Sequence, residues 1–381
     1  MIKSDYQIAY KQLTEKRIYR RDDAEHKRAA QYGAPSIYES MKGVIRMRIA
    51  KMFQTIDTHT VGEATRTLVS GLPPIPGKTM DEKFLYMKEQ CDWVRTLLMC
   101  EPRGSSVMSG AVLTEPCTPG TDIGVLYMEV GGWMPMCGHD TIGVGTALVE
   151  TGLVAVTEPY TYVKLDTAAG VVSLKIKVKD NVAESVTFVN APAFMLLEGA
   201  EVQTPEYGTV KLDMCYGGNF YAIIPAASVG LDLNAENYSK LIAAGIKMRG
   251  YINDQLKIQH PEKPFINQCT HVEFIGEPDT PKADYKNAVI FPPGDIDRSP
   301  CGTGTSARCA QLIRQGKLKM EETFVNESFI GSLFSCRAVG ETTIGGIPAI
   351  IPEVTGSAYL MGKSTFFLDP TDPFPEGFQL T

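Results

Sequence analysis

Two cysteines each precede a glycine at the predicted start of a short apolar helix. Cys137 lies in "MPMCGHDTIG" and Cys301 lies in "DRSPCGTGTSA". The free backbone N–H groups of a helix start carry the positive end of the helix dipole, so they lower the pKa of a nearby thiol and bind carboxylates. If the two helix starts face one cleft, one thiolate can remove the α-proton of an amino acid while the other thiol returns a proton to the opposite face. This arrangement predicts inversion of a carbon next to a carboxylate.

A polar residue lies close to each cysteine in the sequence. His139 follows Cys137 by two positions, and Asp297 precedes Cys301 by four. Both are placed to line the same cleft and to bind an amine nitrogen of the substrate. The alternatives are structural, because His139 could cap its helix and Asp297 could pair with Arg298.

Other uses of the cysteines are disfavoured. The nine cysteines are widely spaced and form no CxxC pair, and the five histidines are scattered. A disulfide framework and a metal site are therefore not expected. The glycines of "GTGTSA" alone are a weak dinucleotide signal, so no cofactor is predicted.

Composition limits the partners. The net charge of −7 disfavours a nucleic-acid surface. No stretch approaches the roughly 20 apolar residues of a membrane span, and the first residues lack the apolar core of a secretory signal. We therefore expect a cytoplasmic protein whose partner is a small molecule.

The elements around the cysteines repeat along the chain. Apolar spacing predicts helices over residues 79–99 and 234–257, with Cys91 in the core of the first, and one apolar helix after each cysteine, ending near Gly152 and Gly316. Alternating patterns predict strands in "MFQTIDTHT", "EATRTLVSGL", residues 109–115 and 122–130, "GVVSLKIKVKD", "SVTFVNA", "TVKLDMCYGGNFYAII", "HVEFIGE" and "KNAVIF". Each half of the chain is thus predicted to contain strands, a Cys-Gly pair and a buried helix, in that order.

Residues 1–50 differ from the rest of the chain. They contain eleven Lys or Arg and six Asp or Glu, with few periodic apolar positions. We interpret them as an N-terminal extension whose removal leaves turnover intact.

The two cysteine motifs resemble the catalytic motifs of the proline racemase family, within the wider diaminopimelate epimerase-like fold. The likeness covers residues 52–381 and includes "DTHTVGEATR", "EPRG", "YGGNFYAI" and "VTGSAYL". It implies an α/β (α+β) architecture of two pseudo-symmetric domains, each a strand-rich, barrel-like layer around a central helix, with the active site in the cleft between them. The domains would span residues 51–185 and 186–354, and residues 355–381 would return to the first.

The resemblance also implies the site residues. Cys137 and Cys301 would be the two acid/base thiols of a cofactor-independent racemase or 2-epimerase acting on proline-type imino acids. Asp297 would receive the ring N–H, and Phe291 would pack against the ring. The residues that would hold the carboxylate and the ring nitrogen are Gly138, His139, Gly302 and Thr303. A homodimer is common among such enzymes.

One position departs from the resemblance. Proline racemases carry a phenylalanine against the unsubstituted ring where this sequence has Ser109 in "VMSGAVL". A small hydroxyl-bearing residue opens room and offers a hydrogen bond. Our hypothesis is that Ser109 admits a 4-hydroxyproline ring, unless a neighbouring side chain fills the space.

Three alternatives remain at this stage. A 3-hydroxyproline dehydratase is disfavoured because Thr typically replaces the second thiol there, whereas this chain has Cys301. A diaminopimelate epimerase-like enzyme would share the fold, but the two cysteine motifs resemble those of proline racemases more closely. The last alternative is a protein of another class: a non-catalytic imino-acid binder would not need two thiols at helix starts, and a redox sensor would need a resolving pair of thiols.

Overall fold

The computed structural model describes residues 50–380. The predicted N-terminal extension lies outside these residues, apart from its last position. None of the helices in the described part of the chain is long and apolar enough to cross a membrane.

Residues 50–380 form a mixed α/β fold rich in strands and poor in helices, as predicted. The α-helices are α1 Met80–Gln90, α2 Asp92–Met99, α3 Gly138–Glu150, α4 Tyr238–Gln255 and α5 Gly302–Arg314. The strands of the first half are β1 Lys51–Thr60, β2 Glu63–Ser70, β3 Ser109–Thr114, β4 Ile123–Glu129, β5 Gly132–Met134, β6 Tyr160–Thr167, β7 Gly170–Lys179 and β8 Val182–Val189. Those of the second half are β9 Phe194–Thr204, β10 Gly208–Tyr216, β11 Phe220–Pro225, β12 His271–Gly276, β13 Tyr285–Phe291, β14 Asp295–Ile296, β15 Phe324–Glu327, β16 Leu333–Ile344, β17 Ile347–Gly356 and β18 Ala358–Leu368.

Strand pairing brings distant parts of the chain together. The first strand, β1, pairs antiparallel with both its neighbour β2 and the last strand β18. Strand β17 pairs antiparallel with β16 and with β8, which links the end of the chain to its middle. Parallel pairs occur between β2 and β3 and between β11 and β12, and each joins the strands of one half.

Each cysteine-bearing helix is packed among strands. Helix α3 contacts β1, β2, β8 and β18, whereas α5 contacts β9, β10, β16 and β17. Every residue from 138 to 149 and from 302 to 312 is buried. Small residues such as Gly143 and Gly145 allow this close approach, because a Cβ on Gly143 would lie 2.7 Å from Thr58 Oγ1. The strands therefore fix both helix starts rigidly.

Large apolar clusters hold the fold together. One surrounds α3 and includes Leu148, Val186 and Phe188, and another packs α4 against β11 and β12 through Leu241, Met248 and others. The division into domains at residues 51–185 and 186–354 stays a prediction.

The predicted ends of the two cysteine helices are confirmed. Helix α3 ends at Glu150 and α5 at Arg314, each just before a glycine with positive φ, Gly152 at 69° and Gly316 at 68°. Glycine adopts this left-handed conformation without a Cβ penalty, so it ends a helix readily.

Two predicted elements need correction. The single helix over residues 79–99 is wrong, because the backbone of Cys91 leaves the helical region (φ −132°, ψ 25°) and α2 restarts at Asp92, whose acidic side chain favours a helix start. Cys91 is consequently half-buried rather than a core residue. The strand "TVKLDMCYGGNFYAII" is also two strands, since Gly217 and Gly218 form a turn between β10 and β11.

Candidate active site

The starts of α3 and α5 meet in van der Waals contact. A Cβ on Gly138 would lie 2.4 Å from Gly302 Cα, and a Cβ on Gly302 would lie 2.7 Å from Gly138 Cα. Any larger residue at either position would push the helices apart. The two glycines after the cysteines therefore serve a tertiary contact, and they bring both sets of free N–H groups to one point.

A buried cavity opens beside this contact. Its lining residues are Glu63, Ser109, Glu129, Met134, Cys137, His139, Tyr221, His271, Phe291, Asp297, Cys301 and Thr303. Seven of the nine predicted site residues are among them. The other two, Gly138 and Gly302, form the helix contact behind the cavity. The structure thus brings all nine together.

The first thiol faces an imidazole. Cys137 Sγ lies 3.4 Å from His139 Nδ1, and His139 Nε2 lies 3.2 Å from Asp140 Oδ1. His139 is inside α3 rather than at its cap, which removes the structural alternative for this residue. The carboxyl group of Asp140 orients the imidazole of His139, and the imidazole in turn faces the thiol of Cys137.

Asp140 is the buried centre of these contacts. Its Oδ1 accepts a hydrogen bond from Thr65 Oγ1 at 2.7 Å, and its Oδ2 accepts one from Ser109 Oγ at 2.6 Å. The residue has no solvent exposure. Because every acceptor site is directed at a donor, Asp140 fixes the positions of Ser109 and His139 together.

The second thiol faces hydroxyl groups instead. Tyr221 Oη lies 3.3 Å from Cys301 Sγ and 2.5 Å from Thr303 Oγ1. The backbone of Cys301 has φ 60°, a left-handed conformation that costs energy for a residue with a Cβ. Its N–H is held by Ser299 Oγ at 3.0 Å, so the surrounding loop maintains this conformation.

Burial controls the acidity of both thiols. It raises the pKa of Cys137 to about 12, although the adjacent His139 opposes the shift. Burial and the charge of Asp297 together raise the pKa of Cys301 well above its usual value. The sequence-based expectation of a net lowering by the helix starts is therefore wrong, because removal from water disfavours a thiolate more than the helix ends favour it.

At His139 the neighbouring charges have more influence on the pKa than burial has. Burial disfavours its charged form, yet Cys137 and Asp140 outweigh burial and raise the pKa of His139 well above its usual value. Cys137 and His139 thus influence each other, because a proton on this imidazole favours the thiolate of Cys137, whose sulfur lies 3.4 Å from Nδ1.

Three further carboxyl groups surround the cavity. Asp297 Oδ2 lies 3.9 Å from His139 Nδ1, and its Oδ1 accepts the N–H of Ser299 at 2.7 Å. Arg298 pairs with Asp295 and not with Asp297, so the predicted structural alternative for Asp297 is wrong. Glu63 Oε2 accepts the N–H of Arg298 at 2.6 Å, whereas burial raises the pKa of Glu129 to about 8. The cavity wall is consequently rich in acids that can meet a cationic nitrogen.

The apolar side of the cavity is formed by Phe291 and Met134. Phe291 is 4% exposed and ends β13, where it is paired with Asp295 across a tight hairpin. Such a wall suits the methylene groups of a small ring.

Several cavity residues were not identified from the sequence. Glu63 and Tyr221 lie within the quoted "DTHTVGEATR" and "YGGNFYAI", but no role was assigned to either. Glu129 could have been predicted as a site residue, because it is the one acid within the otherwise apolar "IGVLYMEV". The cavity residue His271, and Asp140 behind the cavity wall, carried no signal in the chain, since their positions at the site depend on neighbours from other elements.

One set of side chains in the described part of the chain has the composition of a metal site. Ligand atoms of Cys137, His139 and Asp140 all lie within 4.8 Å of one another. Both oxygens of Asp140 already accept hydrogen bonds from Thr65 and Ser109, so the set fits a hydrogen-bonded chain better than a metal centre.

The comparisons with known proteins agree with this geometry. A family model described as proline racemase matches residues 55–379. A proline racemase from Clostridioides difficile is 46% identical over 88% of this chain and 100% of its own length. A 4-hydroxyproline 2-epimerase from Streptosporangium roseum is 48% identical over the same shares.

Solved structures give the same result. A hydroxyproline epimerase from Agrobacterium vitis with bound trans-4-OH-L-proline has a TM-score of 0.84 at 34% identity, covering 88% of this chain and 96% of that one. A PhzF-family phenazine biosynthesis protein from Bacillus anthracis, 13% identical, has a TM-score of 0.50 over 83% of this chain and 99% of its own, and shares the fold alone.

Proposed function

The chain belongs to the proline racemase family, and from that premise we propose that it inverts the α-carbon of proline or 4-hydroxyproline. The reaction needs no cofactor, and its two acid/base groups are Cys137 and Cys301. The supporting observation is the contact of Gly138 with Gly302, which brings two thiol-bearing helix starts to one cavity.

The helix starts provide the binding site for the substrate carboxylate. Free N–H groups of Gly138, His139, Gly302 and Thr303 converge where the helices meet, and an anion is the natural ligand of such a nest. Asp297 accepts the ring N–H, and Phe291 packs against the ring. The substrate is thereby held with its α-carbon between the two thiols.

The inversion is a transfer of two protons. One thiolate takes the α-proton, so the Cα–H bond breaks and its electron pair is delocalised into the carboxylate. The opposite thiol then donates its proton to the other face of the same carbon. The products are the inverted imino acid and an enzyme in which the two sulfurs have exchanged protonation states.

The substrate itself supplies the charge that produces the base. Burial keeps both thiols protonated at neutral pH. A cationic ring nitrogen held by Asp297 adds a positive charge beside the sulfurs and favours a thiolate. His139 contributes the same effect at Cys137, so proton loss is coupled to binding.

Solvent exchange tests the proposal. L-proline and trans-4-hydroxy-L-proline are incubated separately with the full chain in deuterated water and followed by NMR and chiral chromatography. We expect deuterium at Cα together with the inverted isomer of at least one substrate. No deuterium in either compound contradicts the proposal, and deuterium without inversion indicates a single base.

A third incubation, with 3-hydroxyproline, distinguishes the dehydratase alternative. A dehydratase would release water from 3-hydroxyproline and leave proline unlabelled. The thiol at position 301 disfavours that reaction, because elimination needs no second proton donor on the opposite face.

We also propose that the enzyme acts in the cytoplasm as a homodimer. The net charge of −7 and the small-molecule chemistry of the site support the location. Exposed apolar side chains on paired strands, Met52 opposite Phe367, support self-association. Sedimentation equilibrium that gives the mass of a single chain would contradict the dimer.

A further inference from the structure

The peptide group in front of Cys137 is held from the other half of the chain. Asn219 Nδ2 donates a hydrogen bond to the carbonyl oxygen of Met136 at 2.8 Å, and Met136 directly precedes Cys137. Asn219 is buried and lies in the turn between β10 and β11. A Cβ on its neighbour Gly218 would lie 3.1 Å from Met136 Cβ, so this turn packs directly against the first helix start.

The peptide group in front of Cys301 is held in the same way. Asn287 Nδ2 donates a hydrogen bond to the carbonyl oxygen of Pro300 at 2.8 Å, and Pro300 directly precedes Cys301. Asn287 is buried on β13, and its Nδ2 also donates to Glu273 Oε1 at 2.8 Å. Two acceptors therefore fix the direction of this amide group. Each thiol thus follows a carbonyl group that accepts from a buried asparagine.

A hydrogen bond at this carbonyl fixes more than one oxygen atom. The peptide group is planar, so an anchored carbonyl oxygen also fixes the N–H and the Cα of the cysteine that follows. The effect should be largest at Cys301, because its φ of 60° is a left-handed conformation that costs energy for a residue with a Cβ. Cys137 has a φ of −136°, an ordinary extended conformation that needs less support.

Neither Asn219 nor Asn287 is among the residues that line the cavity. The Pro300 carbonyl also accepts a hydrogen bond from Thr305 Oγ1 at 2.9 Å, so it would stay paired without Asn287. Asn287 in turn has a buried Oδ1 for which residues 50–380 provide no hydrogen-bond partner, and that costs free energy. Pairing of polar groups alone therefore does not explain this asparagine, whereas an effect on the cysteine backbone does.

We infer that Asn219 and Asn287 are positioning residues, each of which holds the sulfur of one thiol in reach of the substrate α-carbon. Asn219 serves Cys137, and Asn287 serves Cys301. The inference rests on the proposed function, in which each thiol acts as base in one direction and as acid in the other. Proton transfer between misplaced atoms is slow, so loss of one asparagine should slow the steps at its own thiol.

Deuterium isotope effects on inversion test this pairing of asparagine and thiol. Both isomers of the imino acid that the wild-type enzyme inverts faster are prepared with hydrogen or deuterium at Cα, and initial rates give an isotope effect on kcat/KM in each direction. A given thiol removes the labelled atom in one direction only. When the steps at that thiol become slow, the isotope effect should rise in that direction and fall in the other.

Asn287→Leu and Asn219→Leu should therefore shift the two isotope effects in opposite senses. Leucine keeps the branched shape of asparagine and removes the donor. In Asn287→Leu, kcat/KM with unlabelled substrate should fall by about 10- to 100-fold, because a small misplacement of a reacting group can cost this much. The fall should be smaller in Asn219→Leu, since the backbone of Cys137 is relaxed. Asn287→Ala and Asn219→Ala repeat the comparison in case the larger side chain impairs folding.

Thr161→Val is the matched control. Thr161 is buried on β6, and its hydroxyl donates to the carbonyl oxygen of Thr157 at 2.8 Å, but it does not line the cavity. Its loss should lower the melting temperature and leave kcat/KM and both isotope effects of the folded enzyme unchanged. A shift in this variant would mean that the isotope effects respond to stability in general and would overturn the inference.

The possible outcomes separate the two proposals. Inactivity of the wild-type enzyme on proline and on 4-hydroxyproline removes the proposed function itself. If the wild type is active, opposite shifts in the two asparagine variants support the positioning roles. Shifts in the same sense, or unchanged isotope effects, overturn them and leave the asparagines a role in stability alone. Failure of both the leucine and the alanine variant of one asparagine to fold has the same meaning for that residue.

Discussion

The two cysteine-bearing helix starts share the residue order Cys-Gly and differ in the backbone of the cysteine and in their polar surroundings. Each has Cys at the N-cap and Gly at the first helical position. Cys137 adjoins the imidazole of His139, which is oriented by Asp140, whereas Cys301 adjoins the hydroxyl of Tyr221. In the proposed mechanism the two Cys-Gly helix starts supply the two bases, and the neighbouring side chains give each thiol its own acidity.

The difference bears on a reaction in which the two thiols exchange roles. His139 favours the thiolate at Cys137, while Asp297 disfavours it at Cys301. The thiolate that forms on substrate binding should therefore lie more often on the first side. The following variants and measurements address this asymmetry, beginning with the largest expected effect.

Replacement of either thiol should abolish inversion. Cys137→Ser and Cys301→Ser should each lower kcat/KM by about 10³-fold or more, because a serine hydroxyl is too weak an acid to replace a thiol as proton donor or base. Chiral chromatography of product from both variants measures the effect. A variant that keeps most of its activity would mean that only one side takes part.

Loss of the carboxylate behind the first thiol should have the next largest effect. Asp140→Asn replaces an acceptor by a donor toward Ser109 or Thr65 and should lower kcat/KM by about 10- to 100-fold, the effect of a buried hydrogen bond to a charged group. Initial inversion rates followed by chiral chromatography measure this loss.

Asp166→Asn is the matched control for that variant. Asp166 is also buried and accepts hydrogen bonds from Cys117 and Thr118, but it lies away from the cavity. It should lower the melting temperature and leave kcat/KM of the folded enzyme unchanged. Equal losses of activity in both variants would show that Asp140 acts only through stability.

Alkylation by iodoacetamide should distinguish the two thiols by pH. Burial keeps both protonated at neutral pH, so the thiolate fraction and the alkylation rate should rise with pH, by up to tenfold per unit. At any given pH, Cys137 should react about tenfold faster than Cys301, since His139 favours its thiolate. Peptide-resolved mass spectrometry gives both rates, and equal rates would remove the asymmetry.

Loss of the phenol hydroxyl beside the second thiol should have the smallest effect. Tyr221→Phe removes one neutral hydrogen bond worth about 1 kcal/mol, which corresponds to roughly a fivefold fall in kcat/KM. The KM of one substrate isomer should change more than that of the other, because only one isomer meets a thiolate at Cys301. Steady-state kinetics from both isomers measures this split.

Tyr216→Phe provides the comparison. The Tyr216 hydroxyl is buried and has no hydrogen-bond partner among residues 50–380, so its removal should leave turnover unchanged. A loss in Tyr216→Phe as large as in Tyr221→Phe would mean that the second thiol does not depend on a particular hydroxyl.

The sequence by itself determined the local features of both helix starts. Apolar spacing and the stop glycines gave the spans of α3 and α5, because helix formation and termination depend on residues within a few positions of one another. The same spacing missed the break at Cys91, since a change of helix direction leaves the apolar period intact. Alternation likewise predicted most of the strands, whereas the fold class was predicted from the resemblance to a family.

Only the tertiary structure decided what surrounds each thiol. The contact of Gly138 with Gly302, the link from Ser109 to Asp140 and the position of Glu129 all join residues far apart in the chain. Strand register sets such contacts, and a shift of one residue would turn Glu129 away from the cavity. The acidity of the thiols also depended on burial, a property of the packed molecule that opposes the local effect of the helix starts.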